Sequence, residues 1–167
     1  MTVFRYCPLC GCPLTDARAD VVHKQCNACR QTWYRNPTVG VAVILLRGES
    51  VLLVQRRCGR WCIPCGHVDW NEDIEDAARR ELLEETGLEC DIVRLHSVHS
   101  NFHDQDRQTV GVWYLGKTRS GELLAGDDAV AAEFRPLSDL PPLAFPTDQL
   151  VVEKLRSDLA GKNQGLS

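Results

Sequence analysis

Three glutamates, Glu81, Glu84 and Glu85, follow one another at i, i+3 and i+4 in a stretch that also carries Gly66, Glu72 and Arg80. On a helix of 3.6 residues per turn they fall within an arc of about 100°. Like charges so placed repel by about a few tenths of a kcal/mol per pair, a cost that a divalent cation reverses. Clustered carboxylate oxygens are hard ligands, which selects Mg²⁺ or Mn²⁺ over softer metals. Cations of that kind draw in an anionic substrate and acidify a bound water. The competing reading is a solvated acidic helix face. Gly66, which lets backbone approach closely before the helix, and Arg80, which can pair with Glu72 or a neighbouring carboxylate, favour the site.

A second chemistry lies near the start of the chain. Cys7 and Cys10 form one Cys-x-x-Cys pair and Cys26 and Cys29 another, with residues 11–25 between them. Two such turns each place two sulfurs on one side of a tetrahedron, the geometry of structural Zn²⁺. The segment is poor in large aliphatic residues, so metal–thiolate bonds would supply folding free energy that a core cannot. The competing reading is free thiols or a redox pair. Cys12 reads as a bystander and His23 as a spare ligand by position. Cys62 and Cys65 repeat the spacing without a matching partner pair, and with Cys58 and Cys90 they read as small residues filling tight space. Arg5, Arg18, Lys24, Arg30 and Arg35 are scattered among Asp16 and Asp20, which favours a stapling role for this module over a nucleic-acid surface.

The elements that must position these groups follow from pattern. The chain has 167 residues, 44% hydrophobic and 25% charged, enough for one medium core and a small module. Val39 to Leu46 is a buried-strand pattern, and Val51 to Val54 a second strand. Glu75 to Thr86 reads as a helix with Ala78, Leu82 and Leu83 inward and Gly87 as its C-cap. Cys90 to Val98 and Thr109 to Leu115 are strand candidates, a turn is expected over Gly121 to Asp128, and a last helix over Thr147 to Leu159 carries Leu150, Val151, Leu155 and Leu159 at helical spacing. Strands on both sides of one carboxylate-rich helix give an α/β sandwich with a mixed sheet after a small module. The expected division is a ribbon over residues 1–36, the main domain over 37–160 and a flexible tail over 161–167. A formal net charge of −4 excludes a protein built to neutralise many phosphates with basic side chains. Nine cysteines, an odd count, exclude a disulfide scaffold. No apolar run reaches membrane-span length and Met1 to Cys10 has no secretory apolar segment, so the expected chain is soluble and cytoplasmic, without a membrane partner.

Gly66, Glu72, Arg80, Glu81, Leu82, Glu84, Glu85, Gly87 and Leu88 occupy every fixed position of the Nudix hydrolase signature, and the chain resembles that family over about Thr38 to Leu159. The resemblance implies a loop–helix–loop on an α/β/α sandwich and Mg²⁺- or Mn²⁺-dependent hydrolysis of a nucleoside diphosphate linked to another moiety. It implies metal ligation by Glu81, Glu84 and Glu85 and by the backbone carbonyl of Cys65, with Glu72 and Arg80 bracing loop and helix. In some members a downstream carboxylate contributes, here Asp127, Asp128 or Glu133. A four-cysteine ribbon before such a domain is similar to the NADH pyrophosphatase group, but Ser97 to Gln105 lacks that group's proline-rich motif after the signature. Substrates of ADP-ribose, NADH or dinucleotide type are therefore expected, with a nucleotide sensor or RNA-binding module of little turnover as the alternative. The resemblance is compatible with a homodimer. No substrate contact is assigned from the sequence: Trp61, Trp70, Phe102 and Trp113 read as core or rim, and His99 and His103 as loop residues within reach of phosphate.

Overall fold

The computed structural model describes residues 4–16, 23–104 and 107–164, excepting the side chains of 162–164. Arg18, Asp20, Gln105 and the last three residues of the expected tail lie outside the described residues. The chain divides into two compact units, residues 1–37 and 38–167.

The first unit is a three-stranded antiparallel sheet of β1 (Leu14–Asp16), β2 (His23–Cys26) and β3 (Thr32–Tyr34). Its two cysteine turns repeat one geometry. The Gly11 N–H donates to the Cys7 carbonyl at 2.8 Å and the Arg30 N–H to the Cys26 carbonyl at 2.9 Å. The residue after each second cysteine takes a left-handed conformation, Gly11 at φ 72° and Arg30 at φ 64°. Among the described residues the enclosed core is small: Cys7, Leu14 and Cys26, with Cys12 and Trp33 against them.

The second unit contains β4 (Thr38–Arg47), β5 (Ser50–Arg56), β6 (Trp61–Cys62), β7 (Cys65–His67), α1 (Ile74–Thr86), β8 (Leu88–Asn101), β9 (Thr109–Gly121), β10 (Ala129–Pro136) and α2 (Pro146–Gln164). Its sheet runs β10-β5-β4-β9-β8, with β6 on β5 and β7 on β4. β4 pairs parallel with β9, from Thr38 opposite Thr109 to Leu45 opposite Gly116, and the other pairs are antiparallel, which makes the sheet mixed. The apolar run of β4 is continuous because both its faces are covered. Val41, Val43 and Leu45 join Ala78 and Leu82 of α1, whereas Ala42 and Ile44 join Val151, Val152 and Leu155 of α2. The expected α/β/α sandwich follows from this alternation.

α1 starts at Asp73, whose carboxylate accepts from the Glu75 N–H at 2.9 Å, and ends at Gly87, whose φ of 69° returns its N–H to the Leu83 carbonyl. Several expectations are corrected. Leu83 and Leu150 point outward, 45% and 49% exposed. β9 continues past the expected Leu115 to Gly121, because Lys117, Thr118 and Ser120 pair with β8. α2 runs on past Leu159 to Gln164. Among the described residues, no helix is long and apolar enough to cross a membrane.

Candidate active site

Arg80 organises the loop–helix junction. Its Nε donates to Glu72 Oε1 at 2.7 Å and its Nη2 to Glu72 Oε2 at 2.9 Å, a two-pronged pair of the strongest kind. The same guanidinium reaches the His67 carbonyl at 3.0 Å, Glu81 at 2.9 Å and Glu84 at 3.1 Å. Glu72 also accepts from the Asp69 N–H at 2.9 Å. The Arg80 guanidinium, with that N–H, holds the Glu72 carboxyl down at about 2.

Glu81 is seated by Gly66. A Cβ there would lie 1.9 Å from the Glu81 carboxyl carbon, and the neighbouring His67 N–H donates to Glu81 Oε1 at 3.1 Å. Gly66→Ala is expected to displace this carboxylate and lower hydrolysis by about a hundredfold or more. Steady-state rates check this, and a wild-type rate would show that the carboxylate can move aside without cost.

Glu85 has a different environment. It is 2% exposed and accepts from the Cys65 N–H at 2.8 Å, with Arg56 at 3.9 Å. Burial pushes its carboxyl up to about 8, against the pull of the Cys65 N–H and of Arg56. A carboxylate carried at that cost beside Glu81 is the donor a divalent cation would satisfy. Among the described residues the three glutamates share one helical face without closing into a preformed cage. Glu81 and Glu84 are held on Arg80 and Glu85 on the Cys65 turn, so a cation must compete with Arg80 for the first two.

The downstream carboxylates separate. The loop after β9 is pinned to the end of α1, with the Leu124 N–H on the Thr86 carbonyl at 3.0 Å and the Gly126 N–H on the Glu85 carbonyl at 3.1 Å. This delivers Asp128 to Arg56, at 2.8 Å. Asp127 is exposed, and Glu133 pairs with Arg135 at 2.9 Å on β10.

Beside these groups lies a cleft of about 220 Å³ between β4, β7, β9 and the start of α2. Arg56, Cys65, His103, Trp113, Phe145 and Asp148 are among the residues that line it. The His103 ring packs on Phe145 at 5.4 Å between centroids, with the Arg56 guanidinium 5.7 Å from the same ring. Trp61 is buried in the core, and Trp70 and Phe102 are 94% and 66% exposed. His99 packs edge-on to Trp113.

Arg56 and Asp148 are missed by sequence reasoning. Arg56 ends an apolar strand and Asp148 reads as an ordinary acidic residue in a first helical turn; no spacing marks either. Asp148 is 2% exposed, and burial pushes its carboxyl up to about 7 against hydrogen bonds from Ile63 and Trp113.

In the first unit the four sulfurs of Cys7, Cys10, Cys26 and Cys29 lie within 4.8 Å of one another. The Cys10 and Cys26 sulfurs are 3.4 Å apart and those of Cys7 and Cys29 3.7 Å. Their acidities diverge. Cys7 lies at about 6, lowered against its burial by the Cys10 and Leu9 N–H groups, while Cys10, despite the Cys12 N–H, is pushed up to about 12 by Cys26. Four thiolates at this range need a cation, and a soft tetrahedral donor set fits Zn²⁺. Cys12, His23, Cys58, Cys62, Cys65 and Cys90 belong to no such group among the described residues.

A family model described as NUDIX domain matches residues 36–155. An ADP-ribose pyrophosphatase of Methanocaldococcus jannaschii is 34% identical over 128 residues, 74% of this chain and 76% of that protein. An NAD-capped RNA hydrolase NudC of Citrobacter koseri is 26% identical over 146 residues, 85% of this chain; the chain spans about half, 55%, of that protein's length. Among solved structures, a NUDIX hydrolase from Nitrosomonas europaea superposes with a TM-score of 0.79 at 24% identity, covering 97% of this chain and 94% of that one. An ADP-ribose pyrophosphatase of Streptococcus suis has a TM-score of 0.63 at 26% identity, covering 74% and 92%.

Proposed function

Because the chain belongs to the NUDIX domain family, we propose that it hydrolyses the pyrophosphate bond of a nucleoside diphosphate linked to a second moiety, of ADP-ribose, NADH or dinucleotide type. The observation that carries this reading is Glu85, buried near Glu81 and joined through the Cys65 N–H and Arg56 to two residues that line the cleft. Glu81, Glu84, Glu85 and the Cys65 carbonyl would hold Mg²⁺ or Mn²⁺, which supplies charge neutralisation for the pyrophosphate and acidifies water.

The rest is the work of this chain's own groups. Arg80 and Glu72 hold the loop against α1, so Gly66 and His67 keep the Glu81 carboxylate in place. Arg56, tethered by Asp128 and partly open to the cleft, can turn a planar fork of donors to phosphate oxygens. A carboxylate of the same group takes the proton of the attacking water. His103 and Phe145 offer ring faces to a base or to the second moiety. The first unit is proposed to hold Zn²⁺ on Cys7, Cys10, Cys26 and Cys29 as a structural ion.

A screen over ADP-ribose, NADH, dinucleoside polyphosphates and NAD-capped RNA, with and without Mg²⁺ or Mn²⁺, tests this reading. The expected result is metal-dependent release of a nucleoside monophosphate, fastest from ADP-ribose, the substrate in the name of the M. jannaschii relative. Tight nucleotide binding without turnover under either metal would overturn it in favour of a sensor.

A further inference from the structure

The turn Ile63–Cys65 meets the carboxylate site through very few bonds. Pro64 has no N–H, so the turn has two backbone donors, those of Ile63 and Cys65. The Cys65 N–H donates to Glu85 Oε2 at 2.8 Å and the Ile63 N–H to Asp148 Oδ2 at 3.2 Å. Between them the Pro64 carbonyl accepts from the Val43 N–H of β4 at 3.1 Å.

Asp148 comes from a segment that straps the same region. The Trp61 N–H donates to the Pro142 carbonyl at 3.2 Å and the Ala144 N–H to the Trp61 carbonyl at 2.7 Å. The second carboxylate oxygen of Asp148 accepts from the Trp113 indole N–H at 3.2 Å. That indole covers Gly111 of β9, where a Cβ would lie 2.5 Å from its ring. One buried carboxylate thus fixes the turn to α2 and to the wall of the cleft. Both of its partners are neutral donors buried from water, so the position requires an acceptor, and the two oxygens of one carboxylate serve both donors at once at the cost of desolvating its charge.

We propose that Asp148 is a positioning residue for Glu85: it anchors the Ile63–Cys65 turn so that the Cys65 N–H stays aimed at the Glu85 carboxylate. The catalytic consequence rests on the hydrolytic reading above; the positioning itself does not.

The test combines amide hydrogen exchange on the zinc-loaded chain without Mg²⁺ or Mn²⁺ with steady-state kinetics in Mg²⁺. Asp148→Asn keeps the size but turns an amide NH₂ toward one of the two donors. Exchange at Ile63 and Cys65 is expected to rise about tenfold or more while the amides of the β8–β9 pair keep their rates. The kcat is expected to fall about ten- to a hundredfold with KM within about threefold. In a Trp113→Phe background the indole donor is gone, so the asparagine can give its oxygen to Ile63. The further effect of Asp148→Asn on Cys65 exchange and on kcat there is expected to shrink to within about threefold. Unchanged Cys65 exchange, a uniform rise across the sheet, or a loss undiminished in the Trp113→Phe background would each overturn the proposal. Failure of the hydrolytic reading is distinguishable, since it shows as absent turnover in the unmutated chain while the exchange arm still reports.

Discussion

Glu85→Gln is expected to abolish metal-dependent hydrolysis, by about a thousandfold or more in kcat, while making the protein without Mg²⁺ or Mn²⁺ more stable at pH 8. The two effects have one cause. Glu85 is buried beneath the turn that presents Cys65, and its carboxyl is raised to about 8 against an ordinary value of 4.5. A group with its folded pKa raised above the unfolded one contributes stability below the unfolded value, and that contribution is lost as pH rises through the folded value. Without Mg²⁺ or Mn²⁺ the protein should therefore weaken between about pH 4.5 and pH 8 through this group. Asp148, raised to about 7, adds a slope of the same sign that the substitution leaves in place. Glutamine keeps an oxygen for the Cys65 N–H and carries no charge. The gain at pH 8 is of order 2–4 kcal/mol, roughly 5–10 °C in midpoint for a chain of this size. Calorimetry of the zinc-loaded chain without added Mg²⁺ or Mn²⁺ at pH 5 and pH 8 reads it: the advantage of the variant should be present at pH 8 and nearly vanish at pH 5. Added Mg²⁺ should raise the midpoint of the unmutated chain more than that of the variant. Equal midpoints at pH 8, or turnover undiminished, would remove Glu85 from the role assigned to it.

What the sequence could reveal divides along physical lines. α1 was legible because its information is local: Ala78 and Leu82 share one face by helical period, Gly87 ends the helix by needing a positive φ, and the glutamate spacing is set by the same period. The double burial of β4 over Gly40 to Leu45 was legible because the apolar run has no polar side to turn outward, although Val39 at its start is exposed. Arg56 and Asp148 carry no such mark. Each acquires its role from partners far along the chain, Asp128 in one case and Ile63 and Trp113 in the other, brought near by sheet order. The state of the glutamates was likewise hidden. Their common face follows from spacing, but their capture by Arg80 and by the Cys65 turn depends on how the preceding loop folds back.

The first unit presents the opposite case, a fold whose stability is expected to reside in one ion. Among the described residues its enclosed core amounts to Cys7, Leu14 and Cys26 with Cys12 and Trp33, and two of those are proposed ligands. A core so small cannot offset the conformational entropy of the ordered residues, on the order of 1 kcal/mol or more each. Cys26→Ser removes a fully buried sulfur from the cluster, so the expected result is loss of bound zinc and unfolding of the ribbon. The second unit has its own cores on both faces of β4 and should keep its fold. Metal analysis should find about one zinc per chain before the substitution and almost none after it. Brief trypsin treatment should then cut at Lys24, Arg30 and Arg35 in the variant and leave a resistant fragment beginning near Thr38, whereas the zinc-loaded chain resists at Lys24 and Arg30. Full zinc content in the variant, or a ribbon still protected without the metal, would show that its fold does not depend on the four thiolates.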